Sequence, residues 1–343
     1  MNLIPRPAPS RLLSLSSDEL TVTLLPDKGA DIYEMIDRAS GIDLLLKSPW
    51  GVHEPGPWLR AANSMQRWME AYPGGWQVLL PNGGDECVEN GTLWSYHGEA
   101  ALLPWTVVEQ EASRAVLEAN LFSVPLQVRR EVQVEGPRFL LREWVSNASN
   151  ERLEVMWSHH PAFGAPFLEE GCLLSTGFRH VVADDRSPGT LLAASSHHDW
   201  PLALTRDGDE LDLRRVPGPD RHRALLAYLT DMDEAFFAIT NPRRELGVTF
   251  RWSGEVFDQA WLWQEVHSGT GWPWFQRAYA LAVEPATTIP GHGMTHARAT
   301  GHPGIFFEPG ETREIFIEAA LFHDARAVAG LHPDGTPRFV TTD

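Results

Sequence analysis

The sequence predicts an all-β protein of large antiparallel sheets, arranged as a sandwich or a barrel. Three observations carry this reading. Short runs of alternating apolar and polar residues recur over most of the chain, roughly from residue 20 to residue 321. Turn residues such as Pro26-Asp27-Lys28-Gly29 and Gly136-Pro137 separate them. A single clear stretch, 57–71, repeats its apolar residues at helical spacing instead. So many strands with so little helix must bury their apolar faces sheet against sheet.

In chain order, strands are expected at 20–24, 30–36 and 43–46, a meander joined by the turns 26–29 and 37–41. Pro57 suits a first helical turn, and Trp58, Met65, Trp68 and Tyr72 then fall on one stripe until Pro73-Gly74-Gly75 ends the helix. That stripe either packs the helix onto the sheets or serves as a lid over a cleft. The apolar run 76–80 enters a glycine-rich loop, Pro81-Asn82-Gly83-Gly84, which continues to His97-Gly98-Glu99. Strands follow at 106–111, 114–121, 126–134 and 138–145, then at 225–230, 235–240, 246–252, 260–266, 279–283 and 313–321. The polar segment 187–219 reads as loop-rich. Residues 1–343 form one expected domain with its core at about 20–321.

Composition narrows the function. A formal net charge of −18 argues against nucleic acid or an anionic membrane as partner, since both require basic surface. Cys87 and Cys172 make no disulfide framework and no metal-ligand spacing. No charged start with an apolar run marks a leader, and no apolar stretch is long enough to span a bilayer, so a cytoplasmic protein is expected. The 14 tryptophans suit a core and equally suit stacking on the apolar faces of sugars.

The stretch around which the chain is organised is Trp157-Ser158-His159-His160-Pro161-Ala162-Phe163. Leu153, Val155 and Trp157 alternate like a strand, and proline should interrupt its ladder, leaving an imidazole at a strand end. An imidazole held there is a candidate acid or base, because its ordinary pKa lies near neutrality. Two surface histidines at a turn would look the same. Alternation sends His159 to the face opposite His160.

The Pro81-Asn82 loop, His97-Gly98, the run from Asn147 to His160-Pro161-Ala162-Phe163, and Glu284-Pro285, in this order on a β chain, resemble the aldose 1-epimerase (galactose mutarotase-like) superfamily, in particular its uncharacterised bacterial branches. The resemblance covers about 20–321 and implies a β-supersandwich with a carbohydrate cleft on one concave sheet. It implies His160 as catalytic acid, Glu284 as catalytic base and His97 as a second, substrate-binding histidine. Asn82, Gln264 and Trp76 are further candidate sugar contacts. No metal and no cofactor is expected, and the partner is a small-molecule carbohydrate bound by a monomer or homodimer. Opening a cyclic hemiacetal needs one group to take the anomeric hydroxyl proton and another to protonate the ring oxygen, which such a pair can do.

One departure stands out. The family's Pro-Asn loop continues with a sugar-binding arginine, whereas here Gly83-Gly84 follows Asn82. Arg60, Arg67 or one of Arg129 and Arg130 could supply the lost donor, and the substrate could be a modified, acidic or phosphorylated sugar. Asp85, Glu86, Asp231 and Asp233 are weaker candidates for binding hydroxyls. A carbohydrate-binding protein without activity is the rival reading, since fold alone does not decide function.

Overall fold

Alternation of buried and exposed side chains sets the architecture. The computed structural model describes residues 11–52, 63–187 and 191–341. Among them, 17 strands join through antiparallel ladders into one continuous sheet, and this sheet doubles back on itself as two layers. One layer runs Trp76–Leu79, Ser158–Gly164, Tyr279–Ala286, Gln259–Val266, the first half of Arg223–Asn241, then Leu173–Ala183. The other runs Arg114–Asn120, Leu126–Glu135, Arg138–Asn147, Thr312–Phe322, Leu246–Trp252, then the second half of Arg223–Asn241. This is the all-β sandwich of large antiparallel sheets that the sequence leads one to expect.

The layers share the 19-residue strand Arg223–Asn241, expected from the sequence as two strands, 225–230 and 235–240. No turn divides them. Asp231 instead takes a left-handed φ of 57°, and just beyond it the pairing shifts register between Thr176–Phe237 and Phe178–Met232, so the strand bends from one layer into the other.

Facing side chains fill the space between the layers. The Trp76 ring lies 5.8 Å from Phe139 and 5.2 Å from Phe250, and Phe163 packs edge-on against Phe237 and Phe250. Each such ring taken from water contributes about 1.5–3 kcal/mol. A polar group is buried among them: Arg130 reaches Glu143 at 2.6 Å, Trp157 Nε1 donates to Glu143 at 3.2 Å, and Trp76 Nε1 donates to His159 Nδ1 at 3.1 Å.

The expected helix 57–71 is present as Ser64–Ala71, with the Asn63 side chain accepting from the Gln66 N–H as its N-cap; positions 57–62, and with them Arg60, lie outside the described residues. No helix among the described residues is long and apolar enough to cross a membrane.

Candidate active site

Register places the two central groups side by side. Ser158 pairs with Ala286 and Ala162 with Ala282, which sets His160 opposite Glu284 on neighbouring strands. Glu284 pairs in turn with Trp261, Trp261 with Tyr228, and His160 with Gln77 on its other side. One row across five strands therefore reads Gln77, His160, Glu284, Trp261, Tyr228. Side chains opposite one another on one sheet face have Cβ atoms about 4.5–5.5 Å apart, close enough to touch. His160 Nδ1 lies 2.8 Å from Glu284 Oε2, with both side chains almost wholly buried. The approach is not aligned as a hydrogen bond, and neither atom bonds to any other group.

The sequence reading had proline breaking the strand here, and that is corrected. Ser158–Gly164 runs straight through Pro161, which pairs with Trp76. What lapses is the ladder toward Tyr279–Ala286, between its Ser158 and Ala162 rungs. Pro161 and Pro285 both stand in that gap and neither has an N–H to offer. The missing rungs are those beside His160 and Glu284.

The pair lies at a cavity of about 500 Å³ walled by Trp68, Tyr72, Tyr96, Trp261, Trp263 and Trp274. Tyr72 Oη sits 3.3 Å from His160 Nε2, and its ring stacks on Trp68 at 4.8 Å. Burial, with the charges of Glu284 and Asp31 adding to it, holds the Tyr72 phenol well above its ordinary pKa, so it remains an O–H. His97 lines the same cavity. Its Nδ1 accepts the Gly84 N–H at 2.9 Å, which leaves Nε2 to carry the proton of the neutral ring. Burial and then the charge of His160 push the His97 pKa well below the ordinary histidine value.

A charged bridge closes one side. His292 Nε2 lies 2.8 Å from buried Asp184, and its Nδ1 lies 3.4 Å from Asp85. Burial works against the imidazolium, but the two carboxylates outweigh it and push the His292 pKa up to about 9. Tyr228 donates its hydroxyl to Asp184 at 2.5 Å. Asp184, Asp185 and His292 offer oxygen and nitrogen atoms close enough together for a cation. Asp184 and His292 already pair with each other at 2.8 Å. A larger cavity of about 780 Å³, lined by His180, Tyr228 and Asp231 among others, holds neither His160 nor Glu284.

Of the residues expected at the site, His160, Glu284 and His97 come together. The other three do not reach the cavity. Trp76 faces the inter-layer core, one residue out of step with Gln77 in the row. Gln264 is likewise one step from the cavity residue Trp263, and it accepts from Arg223 Nε at 3.1 Å. Asn82 is fully buried and staples its own loop, donating to the carbonyls of Asp85 and Ser95 and accepting from the Met294 N–H. Arg130 is locked in the core by Glu143, Arg129 pairs with Glu118 away from the cavity, and Arg67 is not among the cavity residues. Asp231 and Asp233 both pair with Arg179. Glu86 accepts from Ser64 Oγ.

Sequence reasoning missed Tyr72 as more than stripe, Trp261 and Trp263 as walls, and the His292 bridge. It also missed Arg186, which lines the cavity from a segment with no motif to announce it. The glycine after Asn82 has a steric cause: a Cβ at Gly83 would lie 2.6 Å from the Trp261 indole. Trp261 fills the space next to the position where an arginine was expected.

The family model described as "Domain of unknown function (DUF4432)" matches residues 8–321. The chain belongs to the DUF4432 family. A comparison with curated proteins gives no match. Among solved structures, this DUF4432 protein is similar to the Slr1438 protein of Synechocystis sp. PCC 6803, with a TM-score of 0.66 and 18% identity over 94% of this chain and 100% of that one. A Klebsiella pneumoniae protein assigned by name only to the aldose 1-epimerases gives 0.70 and 19% over 92% of this chain and 80% of the other. A galactose mutarotase-like protein from Lactobacillus casei gives 0.64 and 13% over 91% and 100%. At these identities the likeness is one of fold.

Proposed function

We propose that this DUF4432 protein interconverts the anomers of a sugar by acid–base catalysis at the hemiacetal carbon. The observation that carries the reading is the 2.8 Å approach of His160 Nδ1 to Glu284 Oε2 at an aromatic-walled cavity. Glu284, as carboxylate, takes the proton from the anomeric hydroxyl. The C1–ring-oxygen bond breaks, its electron pair goes to the ring oxygen, and His160 protonates that oxygen from Nε2, the nitrogen not facing Glu284. The open-chain aldehyde turns about C1–C2 and recloses on the other face while both transfers run backwards, so the pair ends as it began. Tyr72 serves both states of His160: its oxygen accepts from the imidazolium and its O–H donates to the neutral ring. Neutral His97 offers an Nε2–H to a sugar hydroxyl, and the indoles offer faces to stack on the sugar.

The test is anomer-exchange NMR across a panel of reducing sugars, for the wild type and for Glu284→Gln and His160→Ala. The reading expects a sugar whose exchange the wild type accelerates and both variants do not. Equal exchange by wild type and variants on every sugar would refute it.

A further inference from the structure

Two exposed aromatic rings adjoin, in the chain, the residues that wall one part of the cavity. Pro273 and Trp274 line the cavity, and the residues on either side of them, Trp272 and Phe275, are exposed by 41% and 57%. Among the described residues only one other aromatic side chain, Phe122, is as exposed, so two of the three flank this wall. Met65, which also lines the cavity, is another exposed apolar side chain there.

The loop that presents these rings is built in detail. At its base the buried carboxylate of Glu265 accepts from the Ser268 N–H at 2.6 Å, the Ser268 hydroxyl at 2.8 Å and the Gly269 N–H at 3.1 Å. At its tip Phe275 and Gln276 hold left-handed φ angles of 48° and 58°. Their N–H groups bond back to the carbonyls of Gly271 and Gly269. Two successive non-glycine residues in that region are costly, and such strain persists where surrounding structure imposes it, often at ligand-binding sites. Trp274 is further held by stacking on Trp50 at 5.3 Å.

We propose that the loop 268–277 forms a second sugar subsite, so that the substrate is the reducing-end unit of a di- or oligosaccharide whose next unit stacks on Trp272 and Phe275. This rests on the epimerase reading for the first unit. The cavity of about 500 Å³ lies within the range, roughly 300–1,000 Å³, that takes ligands of drug size. A net charge of −18 favours an uncharged ligand, and aromatic faces suit the apolar faces of sugar rings. A second copy of the chain fits less well, since a stable protein interface buries about 1,200–2,000 Å² and this patch is a few side chains.

The experiment measures anomer exchange on matched pairs: glucose with maltose and cellobiose, mannose with mannobiose, and N-acetylglucosamine with chitobiose. The expected result is a pair in which the disaccharide exceeds its monosaccharide in kcat/KM by about tenfold, equivalent to ~1.4 kcal/mol. Trp272→Ala with Phe275→Ala should abolish that excess and leave the monosaccharide rate unchanged. If monosaccharides are exchanged but no disaccharide does better, the subsite is overturned and the epimerase reading stands. Loss of a dimer on sedimentation of the double variant, with the ratio intact, also overturns it, in favour of self-association. If no sugar is exchanged, the epimerase reading fails by itself, and saturation-transfer NMR decides the subsite. Transfer to the non-reducing unit that disappears in the double variant upholds it, and no transfer overturns it.

Discussion

His159 and His160 are chain neighbours, each beside a glutamate, and they do opposite things. His159 points between the layers, 3.5 Å from Glu143, whose charge Arg130 already meets at 2.6 Å. Burial lowers the His159 pKa, and Trp76 donating to Nδ1 fits a neutral ring. Burial also works to raise the Glu143 pKa, but the charge of Arg130 foremost brings it down to about 2. His160 points the other way, 2.8 Å from Glu284, and both line the cavity. Here, among the described residues, no guanidinium pairs with the carboxylate. A histidine–glutamate pair thus becomes a structural strut or a candidate proton carrier according to its third partner and its access to a ligand.

The sharpest way to break this comparison is to remove one partner on each side. On the cavity side, Glu284→Gln and His160→Ala should each slow anomer exchange by roughly 100- to 10,000-fold, the scale of a lost general acid or base. The melting temperature should change little, and calorimetry of both variants checks that. On the core side, Glu143→Gln leaves Arg130 uncompensated and should cost about 3–5 kcal/mol in denaturant unfolding. Exchange per folded molecule should persist; a variant that stays stable but inactive would reverse the two roles.

Acidity separates the regions by a smaller amount. His97 and His159 have folded pKa values below the ordinary 6.5, so unfolding takes up protons as pH falls through that value and stability declines on the acid side. His292 is raised from 6.5 to about 9, so its contribution is complete below pH 6.5 and lost as pH rises toward 9. That span corresponds to on the order of 3 kcal/mol. Stability should therefore peak near pH 6.5, and His292→Asn should flatten the alkaline limb; thermal melts from pH 4 to pH 10 show whether it does.

The smallest expected effect belongs to Tyr72→Phe. It removes one hydrogen bond to His160, worth about 0.5–1.5 kcal/mol, or roughly two- to tenfold in kcat. The pH dependence of kcat should stay in place, because the hydroxyl serves both protonation states of the ring; an unchanged kcat would make Tyr72 a packing residue only.

Much of this was legible from the chain alone, because period-2 alternation is a local property and each strand carries its own record of it. The β class, most strands, the helix before the Pro81-Asn82 loop, and the opposite facing of His159 and His160 all follow from spacing along the chain. The motif residues His97, His160 and Glu284 could be singled out from a resemblance without knowing what brings them together. Which residues meet was decided only in three dimensions. A register between strands, His160 and Glu284 among them lying far apart in the chain, lines up Gln77, His160, Glu284, Trp261 and Tyr228, and a shift of one residue would turn each side chain to the other face. That single-residue parity turns Trp76 and Gln264 away from the cavity, while Trp263, one step from Gln264, lines it. The same holds for Gly83, whose missing side chain makes sense only against the Trp261 indole that packs on it. Local pattern fixes faces, whereas a site depends on which distant faces are brought together, and that is set by packing of the whole sheet.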